Sequence, residues 1–455
     1  MGRGAVIAGA VLGNGVEVHE GAHIAEGVAI GDRSVVGRNA VVANNVKIYP
    51  FKSVDPGSVV RSSIIWETRG ASSLFGRNGV RGLANIDVTP ETALRLAMAY
   101  GTLLGKDSYV TTSRDTHHAC RVFKRAIISG LNSTGVNVRD LTVAPVTVNR
   151  FDIKSGASVG GIHVQMSLES PDHIEIVFSE RPGVPLDNRR ERAVENFYFR
   201  EDFRRASPEE MGVVIYPPRA LETYTTALLQ NWNTALIRGR QPRLVLDYSW
   251  SAAAYFFAGA LDKLGVETIT LNTSARGRAP FVLPDSVLAS ATRVGELVQA
   301  MGADVGAILD PGAEYLFVVD ETGNLIPDSS LLLLLLQQAV REAGSGTVAL
   351  PLNVTRHAEQ VVASSGVSIR RAKCSKVSLM AEAARPQTIF AASGDGGYIY
   401  PAVLPCMDGL FALGKVLELI AAFDEPLSQL VRQVPAAHLA HTKVECPWGR
   451  KGAVM

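Results

Sequence analysis

The sequence predicts a left-handed parallel β-helix followed by three α/β domains with mainly parallel sheets. An apolar residue recurs at every sixth position through the first 66 residues. From about residue 74 onward, segments with strand and helix periodicity alternate, which is typical of parallel sheets. A chain of 455 residues, 47% apolar and 20% charged, has enough apolar material for several buried cores.

The N-terminal repeat keeps a strict register. In a parallel β-helix, a six-residue rung makes one side of a triangular coil and turns one side chain into a narrow core. Glycine and asparagine, which tolerate positive φ, recur at the predicted corners, as at Gly15 and Asn39. We therefore predict a β-helix over residues 1–66, with an exit at residues 67–73. The inward positions are Val6, Leu12, Val18, Ile24, Ile30, Val36, Val42, Ile48, Val54, Val60 and Trp66.

The predicted β-helix favours packing over catalysis. A short stack has open ends that need a partner or a cap, so we expect it to support a homo-oligomer. Acyltransferases built on such repeats use a histidine between neighbouring coils. His19 and His23 are the only histidines in the repeat, and they lie beside Glu17 and Glu20. This pattern favours solvated histidine side chains over a catalytic role. Binding of acetyl-CoA would be needed to support the hypothesis of an acyltransferase.

Charge and cysteine content exclude several classes of protein. Lys and Arg number 45 against 44 for Asp and Glu, a net charge of +1, which argues against a nucleic-acid binder. The four cysteines lie far apart without a C-x-x-C pair, so a reducing, cytoplasmic setting is expected. The densest apolar run, residues 331–336, is far shorter than the ~20 residues of a membrane span.

Strand–helix–strand units repeat three times after the β-helix. Pro90 at a first helical turn, after Thr89, marks the start of a helix. Arginines interleave with carboxylates over residues 187–205, which favours a salt-bridged surface helix over an anion site. The predicted strands are 108–112, 135–138, 243–247, 268–271 and 347–351, and the predicted helices are 92–104, 119–131, 187–205, 252–264 and 357–364.

Several short stretches resemble one enzyme family. FGRNGVRG at 75–82 precedes TPE at 89–91, Arg-Asp follows at 114–115, and DETGN stands at 320–324. Together with Asp-Gly at 408–409, these stretches resemble the α-D-phosphohexomutases, meaning phosphoglucomutase and phosphomannomutase. With the preceding hexapeptide repeat, the chain resembles the C-terminal part of fused bacterial mannose-1-phosphate guanylyltransferase/phosphomannomutase proteins. The nucleotidyltransferase domain that opens those proteins has no counterpart in the sequence, so nucleotidyl transfer is not expected.

The resemblance implies a domain organisation. Each of the three α/β domains contributes one loop to the family's active site, and a fourth domain clamps the non-transferring phosphate. The fourth loop, R-x-S-G-T-E-P, has no counterpart in the sequence, so that domain is expected to be absent. The implied domains are 74–205 with the phosphoserine loop, 206–325 with the metal loop, 326–440 with the sugar loop, and 441–455 at the start of the missing domain.

The phosphoserine loop of the family reads G-I-M-V-T-A-S-H-N-P. Residues 161–170 stand in register with it, which puts Ser167 at the phosphoserine. Leu168 replaces the family's His, and the downstream Asn-Gly-x-Lys becomes the stretch ending at Glu175. Ser167 is therefore either a phosphoryl carrier or an ordinary loop serine. The resemblance assigns Arg81 and Arg114 as its charge partners.

The metal and sugar loops are altered as well. The family's D-G-D-x-D-R supplies three carboxylates, because Mg²⁺ prefers oxygen ligands. Here the outer two remain as Asp310 and Glu314, while Gly312 replaces the middle one, so weak Mg²⁺ binding is the expectation. In the sugar loop, G-E-x-S-G-H, Ser393 and Asp395 stand at the Glu and the Ser.

Two hypotheses of different classes follow. The first is a phosphohexomutase, an intramolecular phosphotransferase that interconverts mannose or glucose 1- and 6-phosphates in nucleotide-sugar and polysaccharide precursor metabolism. The second is a mutase fold with impaired catalysis that binds sugar phosphates or supports assembly through the β-helix. Turnover with a Ser167→Ala control distinguishes them. The sequence leaves the choice between mannose and glucose open.

Overall fold

The N-terminal repeat forms a parallel β-helix. The computed structural model describes residues 1–61, 63–64, 69–70 (backbone only), 74–274 and 281–435. The first strands are β1 (Val6–Ile7), β2 (Val11–Leu12), β3 (Glu17–Val18), β4 (His23–Ile24), β5 (Ala29–Ile30), β6 (Val35–Val36), β7 (Val41–Val42), β8 (Lys47–Ile48), β9 (Ser53–Val54), β10 (Val59–Val60) and β11 (Arg69–Gly70). They stack into three sheets, ordered β1-β4-β7-β10, β2-β5-β8 and β3-β6-β9-β11. Every pairing in these sheets is parallel.

The register of the repeat shifts at both ends. Val6 is 49% exposed, and Ile7 instead pairs with Ile24 in the inward column, so the prediction that Val6 turns inward is wrong. At the other end, Ile64 is buried and bridges Ile48, in the column where Trp66 was predicted. Trp66 itself lies outside the described residues.

The first α/β domain is built on a mixed sheet. Its elements are β12 (Phe75–Gly76), β13 (Gly79–Leu83), α1 (Pro90–Leu104), β14 (Tyr109–Arg114), α2 (His118–Ser133), β15 (Asn137–Val143), α3 (Val146–Ser155), β16 (Gly160–Met166), β17 (His173–Glu180), β18 (Val184–Pro185), α4 (Asn188–Arg200) and β19 (Val214–Ile215). The strand order is β12-β13-β17-β16-β14-β15-β19, with β18 beside β17. The predicted helix start is confirmed, because Thr89 caps α1 by accepting a hydrogen bond from Thr92 N.

The second α/β domain has a four-stranded sheet. Its elements are α5 (Ala220–Asn231), α6 (Thr234–Arg240), β20 (Arg243–Asp247), α7 (Ala258–Lys263), β21 (Glu267–Leu271), α8 (Asp285–Met301), β22 (Val305–Leu309) and β23 (Leu316–Val319). The order is β21-β20-β22-β23, and only the β22–β23 pair is antiparallel. The helix predicted over 252–264 is split into a 3₁₀ turn, Ala252–Tyr255, and α7.

The third α/β domain repeats this plan. Its elements are α9 (Asp328–Ala343), β24 (Ser345–Pro351), α10 (His357–Val362), β25 (Gly366–Ala372), α11 (Lys376–Ala383), β26 (Thr388–Ala392), β27 (Tyr398–Ile399), α12 (Gly409–Ala422) and α13 (Leu427–Gln433). The order is β25-β24-β26-β27, again with one antiparallel pair at the edge, β26–β27.

One apolar core joins parts of all three α/β domains. It includes Phe151 of α3, Leu246 of β20 and Leu413 of α12. The apolar run 331–336 lies inside α9 and is buried. Within the described residues, no helix combines the length and apolar character needed to cross a membrane. The boundaries assigned from the sequence stay predictions, and the segment 441–455 lies outside the described residues.

Candidate functional site

Ser167 begins the loop between two buried antiparallel strands. The loop follows β16 and leads into β17, and Ser167 N donates to His173 O at 2.9 Å. The Ser167 hydroxyl donates to Glu175 Oε1 at 2.8 Å and accepts a hydrogen bond from Glu169 N at 3.2 Å. Only 2% of Ser167 is exposed. The hydroxyl is therefore held in one position against a carboxylate.

Glu175 is the centre of a polar cluster beneath this loop. It lies in β17 between two buried isoleucines. Its Oε2 atom accepts hydrogen bonds from Asn78 Nδ2 at 2.9 Å and Gln165 Nε2 at 3.1 Å. Arg81 Nε lies 3.8 Å from Glu175 Oε1, because the two residues are paired across β13 and β17. The side chain of Glu175 therefore connects β13, β16 and the loop that begins at Ser167.

Both predicted arginines lie at this loop. Arg81 forms an ion pair with Glu169 and donates from Nη2 to Ser170 Oγ at 2.9 Å. Arg114 ends β14 and donates to Asp115 O at 2.7 Å. The Asp115 carboxylate accepts from Met166 N at 2.8 Å, which fixes the end of β16. Two cationic side chains therefore lie beside Ser167 or on the adjacent strand.

The predicted metal loop turns tightly around Asp310. The loop connects β22 to β23, and Asp310 is fully buried. Its two carboxylate oxygens accept hydrogen bonds from Gly312 N at 2.9 Å and Tyr315 N at 2.7 Å. Burial, reinforced by the nearby Glu314 carboxylate, raises the pKa of Asp310 to about 6. A Cβ atom at Gly312 would lie 3.7 Å from Gln165 Oε1, so this loop is next to β16, the strand that leads into Ser167.

Glu314 lies between two basic side chains. One carboxylate oxygen is paired with Arg150 Nη1 and the other with Lys376 Nζ. Glu314 and Arg150 have 2% and 0% of their side chains exposed, and Lys376 has 15%. Burial alone would raise the pKa of Glu314, but the two cations outweigh it and lower the pKa to about 2. Glu314 therefore stays ionised at neutral pH.

His163 is a further buried polar residue near Arg150 and Glu314. It lies in β16, and its Nδ1 atom shares a 2.7 Å hydrogen bond with Ser113 Oγ. Burial, with the repulsion of Arg150, lowers the pKa of His163 to about 3, so the ring is neutral at physiological pH. Among the described residues, His163 Nε2 and Arg150 Nε and Nη2 have no hydrogen-bond partner. These atoms are suited to buried water.

The predicted sugar loop joins β26 to β27. Ser393 Oγ donates to the Asp395 carboxylate and accepts from Gly397 N at 3.1 Å. Gly396 has φ +91°, and a Cβ there would lie 2.7 Å from a ring carbon of Phe317. Leu316 N donates to Gly396 O at 2.9 Å, so the sugar loop lies directly beside the metal loop.

The residues present do not fit a Mg²⁺ ion. Magnesium requires about six oxygen ligands in an octahedral arrangement at roughly 2.1 Å. All four carboxylate oxygens of Asp310 and Glu314 already have a donor from the protein. In the part of the chain that the structure describes, no group of three or more His, Cys, Asp or Glu side chains is arranged to hold a metal ion. These two side chains therefore have no carboxylate oxygen left free for a metal.

Comparisons with known proteins agree with this architecture. The family "Phosphoglucomutase/phosphomannomutase" matches with its alpha/beta/alpha domains I, II and III at residues 72–205, 222–323 and 327–438. A probable phosphoglucosamine mutase of Thermococcus gammatolerans is 30% identical over 383 residues, which cover 84% of this chain and 83% of that protein. The chain belongs to the phosphoglucomutase/phosphomannomutase family. A phosphoglucomutase/phosphomannomutase of Thermococcus kodakarensis is 29% identical over 385 residues, covering 84% of each protein.

The fold of the mutase family is also found among solved structures. A phosphoglucomutase/phosphomannomutase family protein from Burkholderia thailandensis superposes with a TM-score of 0.73 at 21% identity, covering 81% of each chain. A putative phosphomannomutase from Thermus thermophilus gives 0.71 at 22% identity, covering 80% of this chain and 83% of that one. The description "Bacterial transferase hexapeptide (six repeats)" matches residues 9–44, in agreement with the β-helix.

The structure adds three side chains that the sequence motifs of the mutase family do not indicate, namely Arg150, Lys376 and His163. It also places Glu175, which the motif comparison names only as a departure from the family pattern, against Ser167. Arg150 and Lys376 are 164 and 62 residues from Glu314 in the chain, so no local pattern reports their contact. A lone carboxylate or imidazole inside an apolar strand is a usable signal, since such groups are rarely buried without a role. Glu175 and His163 carry that signal.

Proposed function

We propose that the chain binds hexose phosphates, with mannose or glucose as the sugar, where the three loops meet. The observation that carries this proposal is the contact between the metal and sugar loops, formed by Leu316 N and Gly396 O. The Ser167 loop approaches the same place through Gln165 and Gly312. Family membership supports hexose phosphates as the ligand class, since relatives that cover 84% of the chain carry mutase names.

The residues available to the ligand suit a sugar phosphate. Arg81, which keeps 28% of its side chain exposed, can form charge-assisted hydrogen bonds with a phosphate, as can Arg114. Ser393 and Asp395 offer a hydroxyl and a carboxylate to sugar hydroxyls. Titration calorimetry with mannose 1-phosphate and glucose 1-phosphate tests this proposal, and the absence of saturable binding to either would reject it.

Phosphohexomutase turnover is the catalytic form of this proposal. Phosphorylated Ser167 would transfer its phosphoryl group to the free hydroxyl of a hexose monophosphate. After the resulting bisphosphate has reoriented, the Ser167 hydroxyl would take the phosphoryl group from the other position and release the isomeric monophosphate. The hydrogen bond from Ser167 to Glu175 favours this role, because Glu175 is in place to take the hydroxyl proton as the O–P bond forms. A coupled assay of hexose 1-phosphate conversion decides it. Turnover no greater than that of Ser167→Ala would reject catalysis.

A binding or assembly module without catalysis is the second candidate. It is favoured by the 2% exposure of Ser167 and by the closure of Glu314 between Arg150 and Lys376. In this second proposal, the chain assembles into an oligomer through the β-helix. It would then correspond to the C-terminal part of a fused guanylyltransferase/phosphomannomutase. Light scattering tests the assembly role. An oligomer that dissociates when Val59, an exposed residue of β10, is changed to Asp would support it. A monomer that turns over hexose phosphates would exclude it.

A further inference from the structure

The ion cluster at Glu314 connects the three α/β domains. Glu314 lies in the loop between β22 and β23, Arg150 in α3 and Lys376 at the first position of α11. Each carboxylate oxygen of Glu314 is paired with one cation. Glu314 belongs to the second α/β domain, whereas Arg150 belongs to the first and Lys376 to the third. The resemblance to the mutase family implies that the residue at position 314 binds a divalent cation. Here the positive charges beside Glu314 are the side chains of Arg150 and Lys376.

The charges of this cluster balance without a metal. Asp310 and Glu314 contribute two negative charges, and Arg150 and Lys376 contribute two positive charges. A guanidinium does not release its proton in proteins, so Arg150 remains a cation beside Glu314. A dication bound to the carboxylate oxygens of Glu314 would have to displace both ion pairs. It would then lie next to the positive charges of Arg150 and Lys376. The cluster therefore opposes a metal electrostatically.

Gly312 removes the remaining means of binding a cation in the loop. Its position is the one from which a third carboxylate would point inward. A Cβ atom at Gly312 would lie 2.9 Å from Asp310 Oδ2 and 3.4 Å from Val146 Cγ1. A side chain at this position would require the Asp310 carboxylate, which accepts the hydrogen bond from Gly312 N, to shift. The present position of the Asp310 carboxylate therefore leaves little room for a third ligand at Gly312.

We propose that the Arg150 guanidinium and the Lys376 ammonium take the place of the divalent cation at Glu314, so that this mutase-type loop is neutral and binds no Mg²⁺. The two ion pairs also hold α3 and α11 against the loop, as a metal shared between loops would. This inference does not depend on hexose phosphate binding, because the cluster is complete without a ligand.

The test is a titration of the full chain with Mn²⁺, followed by electron paramagnetic resonance of the free ion, and with Mg²⁺ by calorimetry. No sugar phosphate is present, so the outcome is independent of the proposed function. We expect no saturable site tighter than about 1 mM. One Mn²⁺ per chain bound at least about tenfold more tightly than this, and lost in Asp310→Asn, would overturn the proposal.

The variant Lys376→Met tests the role of the ammonium directly. It frees one oxygen of Glu314 and leaves a net negative charge, so Mn²⁺ affinity should rise at least about tenfold over the wild type. Lys106→Met is the matched control, since Lys106 forms an exposed ion pair with Glu210 and its loss should leave Mn²⁺ affinity unchanged. A folded Lys376→Met protein with wild-type Mn²⁺ affinity would contradict the proposal. If this variant does not fold, the wild-type titration decides alone.

Discussion

The hydroxyl of Ser167 donates a 2.8 Å hydrogen bond to Oε1 of Glu175. The residue expected to carry a phosphoryl group therefore faces a carboxylate, at a place where the family pattern provides a lysine. A phosphate on Ser167 would bring further negative charge to this carboxylate, which Arg81 and Asn78 would have to offset. The polar cluster around Glu175 is thus the part of the site in which this chain departs most from the family pattern.

Ser167→Ala should destabilise the fold only modestly. Glu175 loses one donor but keeps those of Gln165 and Asn78, so we expect a loss of about 1 kcal/mol in the free energy of unfolding. Urea denaturation measures it. Ser129→Ala is the control, since its hydroxyl bonds only to Arg125 O on an exposed helix surface. A loss of more than about 3 kcal/mol for Ser167→Ala would show that the hydroxyl organises the whole loop.

Glu314→Gln should be strongly destabilising. It leaves Arg150 buried without its counter-charge, and breaking a buried ion pair in this way costs about 3 to 5 kcal/mol. The control is Glu210→Gln, whose pair with Lys106 is exposed and should contribute less than about 1 kcal/mol. Both are measured by urea denaturation at pH 7. Equal losses for the two variants would contradict the account of the Glu314 cluster.

Asp328 should make stability fall as the pH rises from about 4 to about 7. Burial, with repulsion from Asp395, raises the pKa of Asp328 from 3.8 to about 7. Between those pH values the folded state holds a proton that the unfolded state has released, so the free energy of unfolding decreases with pH. Asp328→Asn should therefore gain about 1 to 3 kcal/mol over the wild type at pH 8 and nothing at pH 3. Denaturation across this range that shows a pH-independent difference would refute the assignment.

Gly396→Ala should destabilise the sugar loop. The residue has φ +91°, and the added Cβ would lie 2.7 Å from the Phe317 ring, for which we expect a loss of about 1 to 3 kcal/mol. Gly259→Ala in α7 is the matched control. Its new Cβ meets nothing within 4 Å, and alanine should stabilise that helix by up to about 1 kcal/mol. Thermal denaturation that ranks the two variants in the reverse order would contradict the described loop geometry.

The sequence predicts most of the fold because local patterns determine it. The six-residue repeat predicted the β-helix, and the strand Arg243–Asp247 and the helix start at Thr89 are confirmed. The predicted register is wrong at Val6, where Ile7 takes the place in the inward column. The assignment of the three loops to one site stays a prediction.

The ion cluster at Glu314 was beyond prediction from the sequence. Each of its contacts depends on how separate domains pack, and Arg150 and Lys376 look like ordinary residues of their helices. The resemblance to the metal loop of the mutase family implied weak Mg²⁺ binding at Asp310 and Glu314. The geometry instead commits every oxygen of these two side chains to a donor within the protein. Charge balance of this kind is decided by tertiary contacts, which a single-sequence pattern does not contain.

Titration calorimetry of mannose 1-phosphate and glucose 1-phosphate in the presence of EDTA tests the central claim most directly. We predict saturable binding of at least one of them to the full chain without any divalent cation. Arg81→Met should weaken binding at least about tenfold through loss of a charge-assisted hydrogen bond. Arg192→Met, on the exposed side of α4, should leave the affinity unchanged. No binding of either sugar phosphate, or an affinity that Arg81→Met does not change, would contradict the account.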